Sequence, residues 1–319
     1  MLRHLATRAV NKQLRGTYTT VRQRTTLNNI SPLVIPFFHK PSSTFTYIII
    51  DEKTSESAIL DPCVDYDTVS GRISTGSLEE IVDFVKSEGL KVKWLLDTHV
   101  HADHLSGLEH LKQKLPNSQT AIGEHVKVVQ KRVNKFFNPI RLDHDGSQFD
   151  CLLSDDQEIK IGDQVIKAIH TPGHTPDSTS FLVNNCLFVG DTIFMPDVGT
   201  ARCDFPGGSA EQLYDTIMSK FYTLEPNTNI FMCHDYPPEQ RVNSPPQYLT
   251  TIGEEMKKNI HIKENTTKEE FVNFRNKRDD ALDLPKLLLP SLQINAIAGK
   301  LPEPESDGKS YIKFPINFF

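Results

Sequence analysis

Residues 98–104 read THVHADH, three imidazoles and one carboxylate (His99, His101, His104 and Asp103) crowded into one short stretch. The stretch follows VKWLLDT at 92–98, an apolar run that reads as a strand, so the crowding falls where a sheet edge gives way to a loop. A lone HxH pair carries little information, because most such pairs are solvent-exposed or structural. Three further residues repeat the same placement. His174 sits in TPGHTP immediately after a predicted strand, Asp191 ends the strand CLFVGD, and His234 ends NIFMCHD. All of them lie at C-terminal strand ends or in the loops that follow, where a rigid sheet can hold ligand-bearing loops.

The residue types agree with the placement. Neutral imidazole nitrogens and carboxylate oxygens suit divalent iron, zinc or manganese, and no thiolate is required. Pro172 and Gly173 tighten the turn that presents His174, Pro by fixing its own φ and Gly by tolerating φ > 0. His110, His125, His144, His170 and His261 stand outside this pattern and are expected in packing or surface roles.

The remaining organisation is α/β. PSSTFTYIIIDEKTSESAILDP predicts two strands, 45–50 and 57–61. SLEEIVDFVKSEGL predicts a helix with Ser77 as N-cap, a capping box to Glu80, and Gly89 as its stop. Helices are expected at 104–114 and 124–137, with a strand at 119–122 between them. Two hairpins follow, 158–161 with 164–169 and 179–183 with 186–189, then a helix at 209–222 and a strand at 229–233. Past Tyr236 the composition changes to PPEQRVNSPP, a helical KEEFVNFRNKRDDAL and a Pro-punctuated tail. The expected division is 1–30 as a leader, 31–236 as the catalytic domain, and 237–319 as an extension packed on it.

Bulk composition narrows the function classes. The 319 residues are 38% hydrophobic and 24% charged with a formal charge of -6, which disfavours a nucleic-acid surface. No apolar run approaches the roughly 18–20 residues of a spanning helix, so no membrane insertion is expected. Five cysteines, widely spaced and without CxxC, argue against a disulfide framework or a thiolate zinc site. From Met1 to Ile50 there is no Asp or Glu, while Arg3, Arg8, Lys12, Arg15, Arg22 and Arg24 come early. An Arg- and Thr-rich, acid-free, amphipathic leader predicts a transit peptide and the mitochondrial matrix. Its loss would take the charge from -6 to near -12.

Taken together, HxHxDH, PGHTP, GDTIF and CHDY resemble the metal-site motifs of the metallo-β-lactamase superfamily over roughly residues 33–240. The resemblance implies an αββα sandwich with a C-terminal extension and a metal in a cleft at the sheet edge. Within that superfamily MPDVGTARCDFPGGSAEQLYDTI resembles the persulfide dioxygenase (sulfur dioxygenase) branch, and the tail ALDLPKLLLPSLQINAIAGKLP its β-lactamase-like, hydrolase-like subgroup. That branch implies one Fe(II) per chain on His99, His174 and Asp191, a 2-His-1-carboxylate triad. His101, Asp103, His104 and His234 then shape an incomplete second site. Arg202 is the implied clamp for a substrate carboxylate, and Tyr236 a neighbour of the aspartate that bridges two metals elsewhere in the family. Cys203 is read as a spectator thiol. The implied partners are glutathione persulfide and O2, oxidised to sulfite and glutathione in sulfide oxidation, with a homodimer by family analogy. The alternative is a dinuclear zinc hydrolase of glutathione thioesters, glyoxalase II-like, in which all seven residues bind metal.

Overall fold

The structure is a computed structural model, and it describes residues 18–20, 32–137 and 143–317. The expected leader at 1–30 lies outside the described residues apart from a strand at Tyr18–Thr20. Two sheets face each other. The first runs in the spatial order Tyr18–Thr20, Leu33–His39, Thr44–Ile50, Glu56–Leu60, Lys91–Leu96, Gln119–Gly123 and Cys151–Leu153. The second runs Glu158–Ile161, Gln164–His170, Thr179–Val183, Cys186–Phe188, Asn229–Phe231 and Leu249–Thr251.

Three cores separate four layers. Phe45, Tyr47, Ile49, Phe181, Phe188 and Phe231 fill the space between the sheets. Ile48, Ile59 and Leu95 of the first sheet pack against Ile81, Val85 and Leu111 of its helices, Gly76–Ser87 and Leu108–Lys114. Leu187 and Ile230 of the second sheet pack against Leu213, Ile252 and Phe271 of the helices Ala210–Thr216, Ile252–Lys258 and Lys268–Asp279. Thr44–Ile50, TFTYIII, is buried at every position because both of its faces are covered, one by helices and the other by the opposing sheet. The architecture is an αββα sandwich. Among the described residues no helix is long and apolar enough to cross a membrane.

Two local expectations are corrected. Thr75, not Ser77, is the N-cap of Gly76–Ser87, and no side chain caps this end. Ser77 is buried within the first turn, and its hydroxyl donates to the Cys63 carbonyl at 3.3 Å. Tertiary contact thus outweighs the local capping motif. Gly89 does stop the helix: at φ +64° it lets its own N–H reach Lys86 O and that of Leu90 reach Val85 O. The helix expected from 104 begins only at Leu108, because Leu105–Ser106 pairs with the strand Cys63–Asp67. The helix expected over 209–222 exists, capped by the Ser209 hydroxyl, with its last turn widened to a π-helix at Ile217–Phe221.

The sheets meet at the cleft. Thr44, the first residue of its strand, bridges antiparallel to His234. Phe45 N–H donates to Cys233 O at 2.7 Å and Asp235 N–H to Ser43 O at 3.1 Å. The strand of one sheet therefore fixes the loop of the other that carries His234.

Candidate metal centre

Asp61 organises the THVHADH loop. It follows the strand Glu56–Leu60 in a left-handed conformation, φ +51°, and is buried. Its carboxylate accepts from Thr98 N–H at 2.7 Å, from the Thr98 hydroxyl at 3.1 Å and from His101 Nε2 at 3.0 Å. Asp177, four residues from the turn of TPGHTPD, accepts from Val100 N–H at 2.8 Å. Two buried carboxylates thus pin a loop whose backbone would otherwise lack partners.

On the other sheet, Gly173 has φ +150°, and a Cβ there would lie 2.5 Å from Leu213 Cα, so the turn carrying His174 sits flat on the helix Ala210–Thr216. Gly190, φ +53°, lets the segment leading to Asp191 press against Thr98, where a Cβ would approach to 2.8 Å.

These scaffolds bring all seven motif residues to one place. His174 Nε2 lies 3.6 Å and His99 Nε2 4.0 Å from Asp191 Oδ2. His234 Nε2 lies 3.2 Å from Asp191 Oδ1 and 3.5 Å from Asp103 Oδ2. Among the described residues the donor atoms of His99, His174 and Asp191 lie within 4.8 Å of one another, and so do those of His101, Asp103, His104 and His234.

The imidazoles are already turned for metal. Thr98 gives its hydroxyl proton to Asp61, so the same oxygen accepts from His99 Nδ1 at 3.0 Å. His174 Nδ1 donates to Arg202 O at 2.7 Å, and His101 Nε2 donates to Asp61. His104 and His234 both present Nδ1 to the Thr44 hydroxyl, at 3.4 and 3.2 Å. In each ring one nitrogen is tied and the other faces the cluster, the arrangement that fixes the tautomer of a metal-binding histidine. His99 Nε2, His101 Nδ1, His104 Nε2, His234 Nε2, Asp103 Oδ2 and Asp191 Oδ1 are buried without a hydrogen-bond partner. Buried polar atoms are nearly always paired, so a cluster of orphaned lone pairs fits a divalent cation.

Electrostatics follow the same layout. Burial and the neighbouring His101 push His99 well below the ordinary imidazole range. Burial alone would raise Asp191, but His234, His99 and His174 outweigh it and hold the carboxyl well below its usual range. Burial would likewise lower His234, but Asp191 and Asp103 raise it to about 9. Deeper in the fold, burial pushes Asp97 up to about 7; its carboxylate takes the Ser106 hydroxyl at 2.7 Å.

Arg202, the expected carboxylate clamp, is engaged within the chain. Its Nε and Nη2 hold Asp204 in a two-pronged pair at 2.6 and 2.5 Å, and Nη1 donates to Asp283 O at 2.8 Å. Asp204 takes the Nε–Nη2 edge and Asp283 O one Nη1 hydrogen, while the Arg202 carbonyl orients His174. Tyr236 is 43% exposed and stacks on His234, ring centroids 5.1 Å apart. It walls a cavity of about 1010 Å³ that Asp103, His104, His39, Arg72 and Lys286 also line. Cys203 is buried and its thiol is pushed up by burial and Asp279, as a spectator would be. Of the other histidines, His110 pairs with Glu79, His125 stacks on His170, and His261 accepts Thr200 N–H.

Sequence reasoning missed Asp61, Thr44, Asp177 and Asn295. Asp61 and Asp177 carried a signal, an acidic residue beside a proline at a strand end (LDP) or turn (TPD). Thr44 and Asn295 carried none, since their partners lie about 60 to 190 residues away in the chain.

Comparison with known proteins agrees with this geometry. The chain is 48% identical over 282 residues to Glyoxylase B2 of Dictyostelium discoideum, covering 87% of this chain and 94% of the relative. It is 28% identical over 256 residues to the mitochondrial Persulfide dioxygenase ETHE1 of Bos taurus, covering 80% and 83%. The crystal structure of ETHE1 from Myxococcus xanthus superposes with a TM-score of 0.67 at 26% identity, covering 84% of this chain and all of that one. The Metallo-beta-lactamase superfamily profile matches residues 43–234, the span from the sheet-bridging strand to the last histidine of the cluster. With its four-layer fold and its seven converging His and Asp residues, the chain belongs to the metallo-beta-lactamase superfamily.

Proposed function

We propose that the chain is a persulfide dioxygenase that oxidises glutathione persulfide with one Fe(II) held by His99, His174 and Asp191. The observation that carries the reading is this compact triad, within 4.8 Å, in a fold that superposes on ETHE1 along that protein's whole length. One persulfide, one O2 and one water give one thiol, one sulfite and two protons. Held by His99, His174 and Asp191, Fe(II) would supply a redox-active Lewis acid for the reaction of the persulfide with O2.

The protein's own groups divide the remaining work. Thr98 and the Arg202 carbonyl hold His99 and His174 with Nε2 bare. His234 Nε2, 3.2 Å from Asp191 Oδ1 and 3.5 Å from Asp103 Oδ2, stands where it can give or take a proton. The cleft is of the size class that takes a small-molecule substrate. With Arg202 committed to Asp204, Arg72 and Lys286 on the cleft wall are the cations that meet the glutathione carboxylates. The acid-free leader and the mitochondrial relative favour the matrix as the compartment.

A second reading, a dinuclear zinc hydrolase of glutathione thioesters, is favoured by one specific observation. His101 Nδ1, Asp103 Oδ2, His104 Nε2 and His234 Nε2 are all unpaired and would suit a second ion. The higher identity to Glyoxylase B2 points the same way. Oxygen uptake separates the two. Protein reconstituted anaerobically with Fe(II) should consume O2 and form sulfite when glutathione persulfide is added, with zinc-loaded protein inert. No uptake from a verified iron-loaded sample, with oxygen-independent cleavage of a glutathione thioester, would replace the first reading by the second.

A further inference from the structure

Residues 237–319 lie outside the span matched by the family profile, yet their helices reach the metal cluster from behind. The helix Leu288–Asn295 ends in Asn295, which is 1% exposed. Its side-chain amide donates to His101 O and to His104 O, each at 2.8 Å, and its side-chain oxygen accepts from Ser106 N–H, also at 2.8 Å. One amide thereby satisfies three backbone groups of the THVHADH loop and the strand that follows it. The chain continues so close behind that a Cβ on Gly299 would lie 2.7 Å from Ser106 O. Gln130 secures the helix end by donating to Ala296 O at 2.9 Å.

A second clamp comes from the helix Lys268–Asp279. Asp279 accepts from Cys203 N–H at 2.8 Å, and Arg275, paired with Asp279, donates to Thr200 O at 3.0 Å. Between these two anchored residues lies Arg202, whose carbonyl holds His174 Nδ1.

We propose that Asn295 is a positioning residue for the metal centre, and that the C-terminal extension sets ligand geometry as well as covering apolar surface. The chemistry is specific to an amide. Two carbonyls and one N–H need two donors and one acceptor on one rigid group, which Asn provides and Asp or Leu does not. Without Asn295 the carbonyls of His101 and His104 are buried unpaired, and the loop must rotate to satisfy them. Rotation moves His101 and His104 directly, and Asp103 with them. The inference rests on the metal role proposed for the cluster: a second ion would feel the shift of His101, Asp103 and His104 directly, and a single ion would feel it through His99, two residues from His101 on the same loop.

The test is metal affinity, measured by chelator competition with Zn(II) and with Co(II), and the Co(II) absorption spectrum as a reporter of ligand geometry. Asn295→Asp and Asn295→Leu are compared with Gln293→Leu. Gln293 is equally buried on the same helix and bonds Leu289 O and Lys313 O, touching no ligand loop. Thermal melting checks that each variant folds.

The expected result is a loss of about 10- to 100-fold in affinity in the Asn295 variants, the usual range for such outer contacts, with an altered Co(II) spectrum. Gln293→Leu should lower the melting temperature while holding affinity within about twofold of wild type. Asn295 variants that melt lower but bind metal as wild type does would overturn the inference. So would a Gln293→Leu protein that loses as much metal. A wild-type protein that binds neither ion would instead sink the metal reading beneath it.

Discussion

Asp61 concentrates in one side chain what the site asks of its surroundings. It is a charged acceptor for the loop backbone and for His101, and its left-handed backbone lets the chain turn from the strand into Pro62. Asn adopts that conformation readily, so Asp61→Asn changes charge and donor pattern with little backbone strain. The variant should fold yet lose about 10- to 100-fold in metal affinity, read by chelator competition; wild-type affinity would show that the carboxylate charge is dispensable. Glu255 tests burial far from the cluster. It is fully buried, one oxygen takes Asn259 Nδ2 at 2.7 Å, and the other is unpaired. Burial, reinforced by Asp197 and Glu254, raises its carboxyl from 4.5 to about 8. The folded state therefore holds a proton that the unfolded chain releases. Stability from this group is complete below pH 4.5 and falls by about 1.4 kcal/mol per pH unit up to about 8. Glu255→Gln removes that slope, so its stability advantage over wild type should grow through this window and level off above it. Denaturant melts at pH 5, 7 and 9 check this, and parallel curves would refute it. The convergence of His99, His101, Asp103, His104, His174, Asp191 and His234 was legible because metal chemistry restricts residue type and spacing. Asp61 was less so, since a buried aspartate beside proline reads equally well as a surface turn.

Elements were legible where periodicity was local and obscured where tertiary contact prevailed. The hairpin Glu158–Ile161 with Gln164–His170 follows directly from alternation around a Gly-Asp turn. Ser77 shows the opposite: an ideal local capping pattern is given up for one hydrogen bond to a neighbouring strand. The helix Lys268–Asp279 contains both kinds of determinant. Its exposed capping box, Thr267 with Glu270, is local, and Thr267→Ala should cost about 1 kcal/mol. Its buried Arg275–Asp279 pair is not local in effect, because it also carries Thr200 O and Cys203 N–H. Arg275→Met leaves a carboxylate buried without its cation and should cost about 3–5 kcal/mol. The ratio of the two losses in urea melts is the prediction. Equal losses would mean that this helix is held by its own propensity rather than by its contacts with Thr200 and Cys203.

At the scale of the molecule, the cluster lies on the seam between two half-sandwiches. His99, His101, Asp103 and His104 leave the first sheet, whereas His174, Asp191 and His234 leave the second. Sequence alone yields the four layers only through family resemblance, because the pairing of Thr44 with His234 joins residues 190 positions apart. The seam is already held by an aromatic core, with Phe188 and Phe231 stacked 4.7 Å apart and Tyr47 edge-on to both. A cation at the cluster would therefore act on a fold that stands without it, unlike a zinc finger that needs metal to fold. Its contribution follows mass action, about 2.7 kcal/mol at a free concentration one hundred times Kd. Metal-depleted protein should thus melt cooperatively, and saturating Zn(II) or anaerobic Fe(II) should raise its melting temperature by several degrees. His174→Ala should fold and lose most of that rise, because it removes one arm of the triad while leaving the aromatic seam intact. A depleted protein without a cooperative transition would mean that the metal, rather than the Phe188–Phe231–Tyr47 packing, joins the two halves.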